Sequence, residues 1–88
     1  MITLDLVDMG VDIGNNLLIK FWYKDTFLHR DNGPAILADS GYQEWYRWGK
    51  YHRTDGPARV WPNGAFEYWI SNRRVTEYEH MFLTRDPL

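Results

Sequence analysis

Residues 29–35 read HRDNGPA and residues 52–58 read HRTDGPA. An 88-residue chain that spells nearly the same seven letters twice, 23 positions apart, is constrained first of all by that repetition. The same shift lays Trp22-Tyr23 over Trp45-Tyr46 and Gly41 over Gly64. A second shift brings Tyr68-Trp69 over Trp45-Tyr46 and Asn72-Arg73 over Gly49-Lys50. There the correspondence ends, because Val75 stands where a third His would fall. A fixed period means stacked copies of one supersecondary unit, each completing its burial against the next. Two units and a fragment therefore fill residues 21–75.

Inside a unit the signals are those of β-hairpins. Tyr42 to Trp48 is rich in aromatics that suit a pleated surface, and Gly49-Lys50 offers a tight turn after it. Asp55-Gly56-Pro57 marks a corner, since Asx and Gly accept turn dihedrals and Pro fixes φ while removing a donor. Ala58 to Trp61 reads as a short strand, and Pro62-Asn63-Gly64 and Asp39-Ser40-Gly41 as hairpin loops one period apart. Ala65 to Ile70 reads as the strand that follows the second of these loops.

Before the repeat, Ile2 to Asp8 alternates with period two, and Gly14-Asn15-Asn16 turns the chain into residues 17–23. That run is apolar on both sides and is expected to be the most buried strand. After the repeat, Thr76 and Glu79 form a capping box behind apolar Val75. Tyr78, Met81 and Phe82 then fall on one face of a short helix. The expected fold is mainly all-β: an antiparallel β-meander of about five or six strands built from 23-residue hairpin repeats, with a short C-terminal helix. One domain spans 1–88, with an N-terminal strand region at 1–20, hairpin repeats at 21–75 and the helix at 76–84.

Composition narrows the chemistry. There is no cysteine, which excludes disulfides and thiolate metal sites. Aromatics reach 17%, with five Trp and six Tyr, enough large side chains to give a small domain its apolar contact. No signal-peptide pattern and no long apolar run occur, so a soluble, cytoplasmic protein without membrane contact is expected. A net charge of −2 argues against bulk attraction to nucleic acid. The charge divides as −3 over residues 1–19, +3 over 20–75 and −2 over 76–88, too weak an asymmetry to name a partner.

Five readings of the repeated heptapeptide follow. In the structural one, His29 and His52 bond backbone groups freed by the turn, and Arg30 and Arg53 pair with an Asp or lie over a Trp. Gly33-Pro34 and Gly56-Pro57 then need only their shape. A metal site would draw on His29, His52 and His80, but the 23-residue spacing lacks the short ligand pairs of zinc sites, and no metal or cofactor is expected. A catalytic His pair is disfavoured because the two copies have equivalent surroundings, and no enzyme motif accompanies them. Arg and Trp interleaved at Trp45, Arg47, Trp48, Arg53, Arg59 and Trp61 can stack bases and contact phosphates, although near-neutrality weighs against nucleic acid. The preferred reading is binding of another protein, or of a second copy in a homo-oligomer, through aromatic surface that one short helix cannot cover. Trp45, Arg47, Trp48, Arg59 and Trp61 are its candidate contact residues.

The register W-Y-x(5)-H-R-x-x-G-P-A, with a turn before HR and a D/N-G turn after the Ala, resembles small β-hairpin repeat proteins of bacteriophages and large DNA viruses. Their repeat looks like a relative of the MORN-type repeat. The resemblance covers residues 21–75; Thr26 departs from it where a turn Gly is expected, and the third unit lacks HR..GPA. It implies an interaction scaffold with no catalytic residue to carry over, acting in the host cytoplasm by binding, and in one form inhibiting, a host protein.

Overall fold

The computed structural model describes residues 6–9 and 18–85. Residues 2–5 of the expected first strand and the turn at 14–16 lie outside the described residues. Among the described residues ten short strands and one helix follow in order. They are β1 (Leu6–Met9), β2 (Ile19–Lys24), β3 (Phe27–Leu28), β4 (Ile36–Ala38) and β5 (Gln43–Glu44). Then come β6 (Tyr46–Arg47), β7 (Lys50–Tyr51), β8 (Arg59–Val60), β9 (Phe66–Ile70), β10 (Arg73–Val75) and α1 (Glu77–Thr84). Every pairing is antiparallel, in the order β1-β2-β4-β5-β8-β9-β10, with β3 also on β2 and β6-β7 a separate pair. The chain is thus mainly β with one short C-terminal helix.

The strands are more numerous and shorter than the expected five or six, and the heptapeptide is the reason. In the first unit β2 runs out and the chain returns beside it as β3 and then β4. Residues 29–35 interrupt that return. The carbonyl of Trp22 accepts from the His29 N–H at 3.0 Å, and the Trp22 N–H donates to the Ala35 carbonyl at 2.8 Å. HRDNGPA is therefore an excursion from a single returning strand, pinned at both ends to one tryptophan. Trp45 pins His52 and Ala58 in the same way, at 3.1 and 2.7 Å. Trp45 stands between β5 and β6.

Two kinds of turn complete each unit. Ala38 donates to Tyr42 and Gly41 to Ala38 across one loop, and Trp61 to Ala65 and Gly64 to Trp61 across its copy. Gly41 and Gly64 have φ of 98° and 92°, the left-handed residue that closes a three-residue hairpin loop. The other turn falls one residue earlier than the expected Gly49-Lys50. It is centred on Trp48-Gly49, with φ of 51° and 79°, and Lys50 already belongs to β7. Ser71-Asn72 repeats both positive angles, whereas in the first unit Asp25 alone is positive, which lets Thr26 stand where the others have Gly or Asn.

The molecule is flat, 46 × 39 × 17 Å. Its covered residues sit at the corners (His29, Gly33, Ala35 and Ala58), at the end of β10 (Val75) and on the helix (His80). Residues 18–23 are therefore not the most buried segment. Leu18 and Lys20 are exposed, and the rest of β2 is half-buried. Apolar residues on both sides of β2 mark a single sheet layer with partial cover on each face, in place of a strand between two layers.

The helix starts where the sequence places it. Thr76 Oγ1 accepts from the Glu79 N–H at 3.1 Å, and Glu79 Oε1 accepts from the Thr76 N–H at 3.0 Å. Both bonds satisfy otherwise orphaned donors at the helix start, and the Thr76 N–H, with the Thr76 side chain next to it, holds the Glu79 carboxyl below its usual range. Among the described residues no helix is long and apolar enough to cross a membrane.

Candidate functional site

Side chains alternate across a strand, so Trp22, Trp45 and Tyr68 project to one face and Tyr23, Glu44, Tyr46, Glu67 and Trp69 to the other. On the first face the Arg30 guanidinium lies 3.9 Å from the Trp22 ring centre, and Arg53 lies 3.7 Å from that of Trp45. Their Nη1 atoms donate to the carbonyls of Pro34 at 3.2 Å and Pro57 at 3.1 Å. Each arginine thus closes its own excursion. That closure explains the glycine in each copy: a Cβ on Gly33 would meet Arg30 Cζ at 2.6 Å, and one on Gly56 would meet Arg53 Cζ at 2.8 Å.

The histidines tie one unit to the next. His29 Nδ1 accepts from the Trp48 N–H, and His52 Nδ1 accepts from the Ser71 N–H, each at 2.9 Å. Both donors are left-handed turn residues of the following unit. An accepting Nδ1 places the ring proton of a neutral imidazole on Nε2. His29 Nε2 then donates to Asp31 Oδ1 at 2.8 Å, with the ring 1% exposed and 4.3 Å from the Trp48 ring. Asp31 also accepts from Lys24 at 3.3 Å, and the His29 and Lys24 bonds hold its carboxyl below the usual range. In the second copy Arg53 Nε donates to Asp55 at 2.9 Å, which lowers the Asp55 carboxyl likewise. His52 is half-buried, and burial, followed by the nearby charges of Arg47 and His80, lowers its pKa. Between the excursions lies a groove of about 300 Å³ lined by Arg30, Trp45, Arg47, His52, Arg53 and the loop residues beside them.

The third unit has no Arg to cover Tyr68. His80 of α1 takes that place, its ring 4.6 Å from the Tyr68 ring and its Nε2 2.6 Å from the Arg53 carbonyl. One face therefore carries a row of three aromatic rings, two covered by guanidinium groups and the last by an imidazole.

On the opposite face Glu44 accepts from the hydroxyls of Tyr42, Tyr46 (2.5 Å) and Tyr51 (3.0 Å). Arg59 donates to the Tyr42 oxygen at 3.0 Å and to Glu67 at 3.3 Å, and Glu67 also accepts from the Trp69 Nε1–H at 3.0 Å. Burial, then the Glu44 carboxylate, pushes the Tyr42 hydroxyl up to about 12 and raises Tyr46 as well. This is a closed hydrogen-bond network in which each phenol is held neutral.

The five candidate contact residues do not form one patch. Trp45 and Arg47 line the groove, while Trp48, 48% exposed, packs against Phe27 and His29 at its edge. Arg59 and Trp61 belong to the opposite face, where the Arg59 guanidinium lies 4.6 Å from the Trp61 ring centre. A different surface is the most open. Tyr78 is 71% exposed and Phe82 64%, and Met81 and Leu83 are exposed beside them. The sequence aligns Tyr78, Met81 and Phe82 on one face of the helix; that face points outward, because α1 docks through His80. The signal for this was the missing arginine of the third unit, which leaves an aromatic ring without its cover.

Among the described residues no three His, Cys, Asp or Glu side chains are grouped to hold a metal ion. Comparisons with protein-family models, curated proteins and solved structures gave no match.

Proposed function

We propose that this chain is a non-enzymatic protein-interaction module that lays the outer face of α1 into an apolar groove of a partner protein. One observation carries the reading: Tyr78, Phe82 and Leu83 border one surface depression, and Met81 is exposed as well, on a helix whose inner side is already anchored. An exposed apolar patch rimmed by charge, here Arg73, Glu77, Glu79 and Arg85, marks a contact surface. Anchors at this spacing on a helix suit a groove. The capping box and the His80 contacts fix the helix beforehand, so little ordering entropy is spent on binding. The repeat resemblance adds a host-cell protein as the partner class.

The corner groups support a binding role over catalysis, because His29 uses both ring nitrogens to hold the fold and His52 uses one. Base stacking on Trp22 and Trp45 would have to displace the arginines that cover them.

Photo-crosslinking in host-cell lysate tests the proposal. A benzophenone side chain at position 82 is expected to give a discrete adduct with one other protein. Excess unmodified protein should suppress it, while Phe82→Asp/Leu83→Asp should not. The same label at position 61, on the opposite face, should give none. Equal labelling from both positions, adducts with nucleic acid, or self-adducts alone would overturn it.

A further inference from the structure

We infer that the groove between the two corners binds an oxyanion on a peptide, a phosphomonoester or a side-chain carboxylate, through Arg30, Arg47 and His52. The inference concerns a surface separate from the exposed side of α1 and stands without it.

The two copies of the corner are complementary in what they lack. In the first, Asp31 receives the Nε2–H of His29; in the second, Thr54 stands at that position, and among the described residues His52 Nε2 has no partner. In the second, Asp55 receives Arg53 Nε; in the first, Asn32 stands there, and among the described residues Arg30 has no carboxylate partner. Each corner omits the acid that the other keeps. The two donors so released, Arg30 and His52 Nε2–H, line the same groove.

Arg47 supplies the third donor. Among the described residues its one acidic neighbour is Asp31 at 3.7 Å, whose two oxygens already accept from His29 and Lys24. The groove therefore holds three guanidinium groups against two carboxylates, and both carboxylates are engaged. A planar guanidinium fixed against an indole presents its remaining N–H groups in a set direction, which favours phosphate or carboxylate oxygens as acceptors.

The space admits one such group with adjoining chain. Nucleic-acid affinity comes from many phosphate contacts made together, whereas this groove offers a single cluster on a chain of net charge −2. A peptide bearing one oxyanion fits both limits.

The test uses the intact protein, labelled with nitrogen-15, and three capped peptides: Gly-Ser-phosphoSer-Gly, Gly-Ser-Glu-Gly and Gly-Ser-Ser-Gly. The amide signals of Asn32, Arg47 and Thr54 are expected to shift with the phosphoserine or the glutamate peptide and not with the serine peptide. The tighter of the first two identifies the source of the oxyanion. Arg47→Gln should weaken binding about tenfold, the worth of one charge-assisted bond. Its side chain is exposed and makes no close hydrogen bond, so the spectrum should otherwise stay folded. Thr54→Asp, which gives His52 an acid of its own, should weaken binding further. No shift with either acidic peptide would overturn the inference. So would unchanged binding in both variants, or tenfold tighter binding of a uridine tetranucleotide at the same amides.

Discussion

The first corner is closed and the second is open, although they share five of seven letters. His29 is enclosed, with Trp48 over its ring and a partner on each nitrogen. His52 is half-exposed and bonded on one side only. Two differences produce this. Asp31 becomes Thr54, and the turn residue supplying the N–H changes from Trp48, which brings a large ring, to Ser71, which brings none. A repeat thus conserves its backbone bonds through Nδ1, while the outward nitrogen and the covering side chain are free to differentiate the copies.

The most direct way to break the comparison is to delete each ring. His29→Ala leaves a buried void and strands the Trp48 N–H, at a cost of about 2–4 kcal/mol. His52→Ala removes one bond at a solvated site, for about 1 kcal/mol. Urea titration of the two variants measures both, and equal losses would mean that the copies are energetically alike. A smaller contrast concerns the glycines. Gly33→Ala and Gly56→Ala each push a guanidinium off its indole, at about 1–2 kcal/mol for the lost packing and cation–π contact. The closer approach at Gly33 makes it the costlier of the two. Adding Arg30→Ala to Gly33→Ala should recover most of the extra loss, since the clash then has no partner.

What was legible in the sequence follows the period. Turn chemistry and alternation gave an antiparallel hairpin fold, and Thr76 and Glu79 gave the helix start, because these depend on neighbours a few residues away. The interruption of each returning strand was not legible. It arises from Trp22 and Trp45 bonding both ends of a heptapeptide, a contact between residues that no local pattern relates. The split of Arg59 and Trp61 from Trp45 has the same origin, because the face on which a residue falls depends on register across the corner. The docking side of α1 was hidden for another reason. An apolar stripe ordinarily faces inward, and here a buried His80 serving Tyr68 outcompeted it.

The hydrogen bond that His52 accepts from the next unit is sensitive to acid. The folded-state pKa of the ring lies below the ordinary value of about 6.5. The neutral ring is what accepts from Ser71, and a protonated Nδ1 would face that donor with a hydrogen of its own. The unfolded chain therefore binds the proton first. The contribution of His52 to stability is complete above about pH 6.5 and is lost as pH falls through the lowered folded-state value. The stability difference between the natural protein and His52→Ala should shrink between pH 7 and 5. A difference that stays constant or grows over that range would show that the ring is not held neutral.

The smallest effect is also the sharpest test of why the copies differ. Thr54→Asp installs at the second corner the acid found at the first. If position 31 alone distinguishes them, the new carboxylate should accept from His52 Nε2 as Asp31 accepts from His29. The His52 pKa should then rise, readable from its ring proton shifts. Stability at neutral pH should gain only about 0.5 kcal/mol, because the pair would be solvated. Ser71→Trp in the same background would supply the missing cover. If the pKa rises only when both changes are present, the acid closes a corner only beneath the cover of the turn residue, since burial alone lowers a histidine pKa.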